Sequence, residues 1–408
     1  MATTLVALVG TCVALSAALV QTSILSDPAK PLRAVFSACT NPRRASLSTD
    51  FTLGNFKPAD DALCLALTYF KTLLSDGPGI GAASLLASVL IPILFRLTYI
   101  SVSPNNRTVL RGIALPIGFL LGGIAFGFGT FLSSVGSLVY IAGLYIQVTS
   151  PKSSLPLLPS PAPAVYAANL ANMIFIAILI SMALFDVAGQ NWLNATTAFC
   201  LSPLVVYFPL LFLGVRETVV PKTEEEARKE LASYNAAEVS YCYERTWAYQ
   251  RQVSLLSSTL YWYGLNRIVM DLIFLKSALS YAAHFMLYQF FGTVWFLFLI
   301  RVAEHLTTRS VSPVHPITGH PRSDVQKECS IAIAAAPAGH PATETGLLGN
   351  NLVAILAGPG TAMSLWWAHG EERDGWLARR AWRETQAVGA KAVADSKAAT
   401  DGQHAKRE

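Results

Sequence analysis

The chain has 408 residues, 53% of them apolar and only 13% Asp, Glu, Lys or Arg, about half the charged share of an ordinary soluble domain. The formal charge of +5 resides in loops and tail, as membrane orientation requires. No basic stripe with interleaved aromatics is present, which excludes a nucleic-acid-binding protein. The six cysteines are dispersed without CxxC spacing, and this pattern predicts neither a metal site nor a disulfide framework.

The apolar runs are long enough for helices that cross a bilayer, which need about 20 residues each. Thr4–Ile24 is the first. It lacks the basic flank of a signal peptide and is read as a retained span, with a cleaved signal peptide as the alternative. A polar loop follows, then Asp60–Leu74, a short run bounded by Asp60, Asp61 and Lys71 that suits a tilted or partly inserted helix. Gly77-Pro78-Gly79 breaks it. Ile80–Ile100 is a clear span carrying Arg96, and Ser103-Pro104-Asn105-Asn106 is a turn. Leu110–Val148 is too long for one helix and is read as a hairpin of two spans, bent near the glycine-rich stretch Gly122–Gly129. These glycines suit close helix packing. They cannot be a phosphate loop, because no strand precedes them and no Lys follows at the required place.

Ser150–Pro163 is a proline-rich connector. Val165–Phe185 and Leu193–Leu213 are spans that end at Asp186 and at Arg216-Glu217. Lys222–Gln252 is strongly charged with regular apolar interruptions, the pattern of an interfacial helix. Ser254–Leu275 is a weaker span that contains Arg267 and Asp271. Leu279–Ile300 is a strong one, with His284 near its start and no motif around that histidine to make it an acyl-transfer base. Thr307–Thr345 is a long proline-bearing loop, and Leu347–Trp367 is the last span. The fold class expected is an all-α polytopic transmembrane bundle of about nine spans, within a range of about eight to ten. Residues 1–370 form the membrane domain and residues 371–408 a charged tail.

Ionisable groups near a bilayer interior are costly and point to function. Here they are Asp60, Asp61, Arg96, Asp186, Glu217, Arg267, Asp271 and Glu304. Arg267 and Asp271 share a helix face at i,i+4 and can pair. Their flank, YWYGLNRIVMD from Tyr261 to Asp271, combines three large aromatics, an amide, a base and an acid. It fits either an interfacial aromatic belt with a structural ion pair or a site. A second concentration lies around Glu244, with Tyr241, Tyr243, Trp247 and Tyr249. Acids beside aromatic faces suit protonation of an alkene or epoxide, followed by cation–π stabilisation of the carbocation. On this reading Asp271 and Glu244 lead as proton donors, with Asp186 and Glu217 next. Arg267, Tyr261, Trp262, Tyr263, Trp247 and Asn266 would contact the substrate. No metal or other cofactor is implied.

The segment Phe56–Leu74, FKPADDALCLALTYFKTLL, resembles the early part of fungal multi-span terpene cyclases of meroterpenoid pathways, in particular those acting on prenylated phenols such as ilicicolin epoxide. Overall length and span number are similar too. The resemblance implies an enzyme of secondary metabolism in the endoplasmic reticulum membrane. It would cyclise a farnesyl group without ionising a diphosphate, on a hydrophobic prenylated substrate that enters from the lipid bilayer. Asp60-Asp61 is not followed by a further acid at the spacing of a diphosphate-binding motif. The alternative is a small-molecule membrane transporter, although no internal repeat of spans is evident.

Overall fold

The computed structural model describes residues 77–105, 114–149, 157–159, 223–275, 279–310 and 347–404, with scattered residues before 77. The expected spans Val165–Phe185 and Leu193–Leu213 lie outside these residues, as do Asp186 and Glu217, and Thr4–Ile24 and Asp60–Leu74 do so in large part. Every regular element among the described residues is helical. Three described helical segments are long and apolar enough to cross a membrane: Gly77–Val102, Phe128–Ile146 and Tyr281–Glu304.

Helix α1 (Gly77–Val102) starts at the Gly-Pro pair. Proline is tolerated in a first turn because the amide it lacks would have no partner there. The turn after α1 is held by Asn105, whose Nδ2 donates to Leu158 O at 2.9 Å while its Oδ1 accepts from Leu158 N at 2.8 Å.

The long apolar run does fold back on itself at its glycines. Helix α2 (Ala114–Phe126) stops at Gly127, whose φ of 84° suits a residue without Cβ. The chain resumes as α3 (Phe128–Phe131), a π-helical segment (Leu132–Gly136) and α4 (Ser137–Thr149). The glycines are packing devices. A Cβ on Gly122 or Gly123 would strike the rings of Phe131 or Phe128, and one on Gly129 would lie 2.5 Å from Gln289 O. Gln289 Oε1 also accepts from Gly129 N, at 2.6 Å. The described part of α2, 13 residues, rises about 20 Å, whereas the second limb is one of the three candidate spans among the described residues.

The charged run after Lys222 forms two helices. Helix α5 (Glu224–Ser233) is capped by Thr223, whose hydroxyl accepts from Glu226 N. Helix α6 (Ala236–Val269) begins with a reciprocal capping box between Asn235 and Glu238. It does not end at Gln252. The expected division into an interfacial helix and a separate span is replaced by one rod of 34 residues, about 50 Å long, followed by a π-helical turn at Met270–Phe274. Nothing near Val253 breaks a helix, so the change in polarity there is not a change in backbone.

Helix α7 (Tyr281–Ser310) is the third candidate span. The last expected span, Leu347–Trp367, is divided instead. Helix α8 (Leu347–Ala357) stops at Gly358, whose φ is 98°, and Pro359 opens α9 (Pro359–His404). Positive φ followed by proline at a first helical position makes a sharp turn between two helices. Helix α9 then crosses residues 370 and 371 unbroken.

Helix α1 is the centre of the bundle, packed by α6, α7 and α9. Small residues let α6 and α9 approach it. A Cβ on Gly264 would lie 2.6 Å from Gly81 O, Ser257 Oγ donates to Ser88 O at 2.6 Å, and Thr361 Oγ1 donates to Ser254 O at 3.1 Å. The apolar core joins Leu85, Val89, Ile93 and Leu97 to Phe119, Leu132, Phe296, Leu297 and Trp367. A smaller cluster of Leu158, Leu231, Val239, Tyr243, Ala378 and Ala381 unites α5, the start of α6 and the charged part of α9. Trp382 Nε1, donating to Tyr234 O at 2.7 Å, ties it.

One cysteine departs from expectation. Cys64 is disulfide-bonded. Sequence spacing constrains local motifs, not a pair that folding brings together, and the partner lies outside the described residues.

Candidate functional site

The two leading acids from the sequence sit in different surroundings, about 40 Å apart along α6 at 1.5 Å per residue. They cannot act on one substrate bond. Glu244 is exposed, with Arg379 Nη1 at 3.5 Å. It borders an open surface groove of about 450 Å³ with Asn235, Ala237, Glu238 and Tyr241. Trp247 is half-buried and stacks under the Arg251 guanidinium, 4.8 Å from the ring centroid.

Asp271 is buried, and Arg267 Nε lies 3.0 Å from its Oδ2. No directed hydrogen bond reaches that oxygen from the described residues, so the contact is coulombic. The carboxylate also abuts the start of α1, where a Cβ on Gly77 would collide with it. A helix N-terminus favours negative charge. Asp271 therefore pins the end of α6 to the start of α1. The rest of its aromatic flank turns away from a common centre. Trp262 and Tyr263 are half exposed, and Asn266 and Arg267 are exposed. Tyr261 is half-buried and packs against Gly358.

A different set converges inside the bundle. It draws Arg96 and Tyr99 from α1, Tyr140 from α4, Arg301 and Glu304 from α7, and Trp366, Trp367 and Glu371 from α9. Glu304 accepts from Tyr140 Oη at 2.7 Å and from Trp366 Nε1 at 3.0 Å, and Trp367 Nε1 lies 3.3 Å from both of its oxygens. Glu371 accepts from Arg96 Nη1 at 3.0 Å and from Tyr99 Oη at 2.6 Å. Arg96 joins the halves. Its guanidinium stacks 5.5 Å from the centroids of both Tyr99 and Trp367 and is in electrostatic reach of Tyr140 and Glu304. Arg301 caps the far side, 5.2 Å over the Trp366 ring, and its Nη1 donates to Asn351 Oδ1 at 3.1 Å.

Helix geometry explains the convergence. Arg96 and Tyr99 are i,i+3, Arg301 and Glu304 are i,i+3, and Trp367 and Glu371 are i,i+4, so each pair projects from one face of its helix. Buried charges persist where they are paired and hydrogen-bonded. Arg96 and Glu371 meet that condition as an ion pair, and Glu304 meets it through three donors. Glu371 lies just beyond the apolar part of α9 and is 3% exposed. Burial pushes its carboxyl up to about 7, against the downward pull of Arg96 and of the Tyr99 hydrogen bond, with Asp374 adding to the rise. A carboxyl that titrates near neutrality can give and recover a proton at working pH.

The rule that charges in apolar runs mark sites finds Arg96 and Glu304. It passes over Glu371, which stands after Gly370 in the charged tail, and over the aromatics that serve it. The signal available was the pair Trp366-Trp367 one turn before Glu371. Asp60 is buried and Asp61 half-buried, apart from this cluster in the sequence. No protein-family model matches the chain, and neither a curated protein nor a solved structure matches it.

Proposed function

We propose that this chain is a membrane-embedded terpene cyclase of about nine spans, resident in the endoplasmic reticulum, that acts on a farnesyl-bearing phenol or its epoxide without a metal. We assign the proton donor to Glu371 in place of Asp271 and Glu244. One observation carries the reading: a buried carboxyl titrating near neutrality, held between Arg96 and Tyr99 beside Trp367. Glu371 gives its proton to the epoxide oxygen. The carbon–oxygen bond opens, a neighbouring alkene attacks the carbon that becomes cationic, and an adjacent carbon then loses a proton, which by way of solvent restores the one Glu371 gave. Atoms balance as an isomerisation. Arg96 then faces the Glu371 carboxylate left behind and offsets its charge, a stabilisation that grows as the proton leaves.

The second reading is a small-molecule transporter. The observation in its favour is the linked series Glu371, Arg96, Tyr140 and Glu304, since ionisable chains within membranes also serve proton and ion pathways. One experiment separates the two. Microsomes containing the protein are incubated with a farnesylated phenol epoxide and extracted for mass spectrometry. The cyclase reading expects a product of unchanged mass with new rings. Recovery of unaltered substrate overturns it, and accumulation of that substrate inside sealed proteoliposomes then establishes transport.

A further inference from the structure

The cluster around Glu304 is joined on one side to α8 through Arg301 and Asn351, and α8, like α2, ends at a glycine of positive φ. Its described part, Leu347–Ala357, rises about 16 Å. It is joined to α9 through Gly358, whose positive φ and following Pro359 concentrate the bend at one residue. It packs on α9 and lightly on α6, and it reaches α7 through the hydrogen bond from Arg301 Nη1 to Asn351 Oδ1. Its outer face carries Leu352, Ile355 and Leu356, which are 58%, 71% and 59% exposed. Such a surface is at home in acyl chains, not in water. Beneath the tether, Arg301 lies over Trp366, and Trp366 donates to Glu304.

We infer that α8 is a lateral gate: it swings about Gly358 to admit a lipophilic molecule from the bilayer to the Trp366–Glu304 side of the cluster, and the Arg301–Asn351 hydrogen bond latches it shut. This rests on the reading of that cluster as the working site. Three features are needed for such a device and all are present. The hinge is a single residue whose backbone conformation suits glycine. The outer face is apolar at Leu352, Ile355 and Leu356 and suits lipid whether the helix is open or closed. The latch is a hydrogen bond to a charged group, strong enough to hold and weak enough to break.

Hydrogen exchange in lipid nanodiscs, followed by mass spectrometry without any substrate, tests the gate. Amides of residues 351–357 are expected to exchange faster than those of α1 and α7. Asn351→Leu removes the latch and is expected to speed α8 exchange about tenfold while α1 and α7 stay unchanged. Asn351→Asp replaces the latch with an ion pair to Arg301 and is expected to return α8 exchange to the normal rate or below it. Equal α8 protection in the normal protein and both variants overturns the inference, as does α8 protection matching that of α1. Because no substrate is present, a failed gate and a failed cyclisation assay are separate results.

Discussion

Replacing Glu371 with glutamine separates a proton donor from a structural acid. The variant keeps the shape of the side chain and an oxygen to accept from Tyr99 Oη, which donates at 2.6 Å in the normal protein. It loses the charge that Arg96 meets at 3.0 Å. Arg96 is not thereby stranded, since Glu304 and Tyr140 remain in electrostatic reach and the rings of Tyr99 and Trp367 still face it. The loss of one charge-assisted hydrogen bond sets the cost in stability at about 1–3 kcal/mol, and the protein should still fold and insert. The cost to chemistry is larger. A general acid contributes about 100- to 10,000-fold, so Glu371→Gln should cyclise at least ~100-fold more slowly at equal protein. The pH profile gives a second readout. The folded carboxyl sits at about 7, above the ordinary 4.5. A reaction that needs the protonated form falls about tenfold per pH unit above that value. The linkage to stability has the same sign. Between the two values the folded state binds more protons than the unfolded state, so this group's contribution to stability declines as pH rises through that window. Product is measured by mass spectrometry in microsomes, and folding by melting in detergent. Product formation by Glu371→Gln at the normal rate, or a rate independent of pH from about 6 to about 9, refutes the assignment.

Two further predictions concern the other acids. Asp271→Asn and Arg267→Gln should both lower the melting midpoint while leaving product per mole of folded protein unchanged. Arg267→Gln is the more harmful, by about 1 kcal/mol, because it leaves a buried carboxylate facing no cation, a cost tempered by the exposure of Arg267 itself. A loss of product by Asp271→Asn with normal melting would return the donor role to Asp271. Glu304→Leu strands the donors of Tyr140, Trp366 and Trp367 and should destabilise by more than about 3 kcal/mol, whereas Glu304→Gln retains an acceptor and should melt between it and the normal protein. Equal melting of the two variants would show that the cluster does not hold α4, α7 and α9 together.

The fold was legible where one cause sets the structure. Apolar length set α1 and α7. Glycine with no competing signal set the reversal at Gly127. It was illegible where hydropathy and backbone part company. Helix α6 runs through the change from charged to apolar residues near Val253 because helical hydrogen bonding does not depend on what the side chains face. Leu347–Trp367 has the length of a span, yet the Gly358-Pro359 pair divides it. A window average cannot register two residues, while a positive φ and a missing amide decide the backbone there.

The candidate site was half legible for a related reason. Arg96 and Glu304 stand alone in apolar runs, where a charge has to be answered, and both are answered in the same cluster. Glu371 stands among charges, in a stretch of composition suited to a solvated helix. Its burial depends on which face of α9 meets α1, and that is fixed upstream by Gly360 and Thr361 against Ser88 and Ser257. Thr361 to Glu371 spans nearly three helical turns, so the face that packs at Gly360 and Thr361 comes round again at Trp367 and Glu371. Along Tyr261–Asp271 the reverse holds: aromatics and charges that are adjacent in sequence do not share one face. Successive residues on a helix point about 100° apart. Trp262 and Tyr263 accordingly face outward while Asp271 faces α1. In a helical bundle, neighbours for chemistry come from different helices at the same depth, and the donor is to be sought among residues that repeat the packing face.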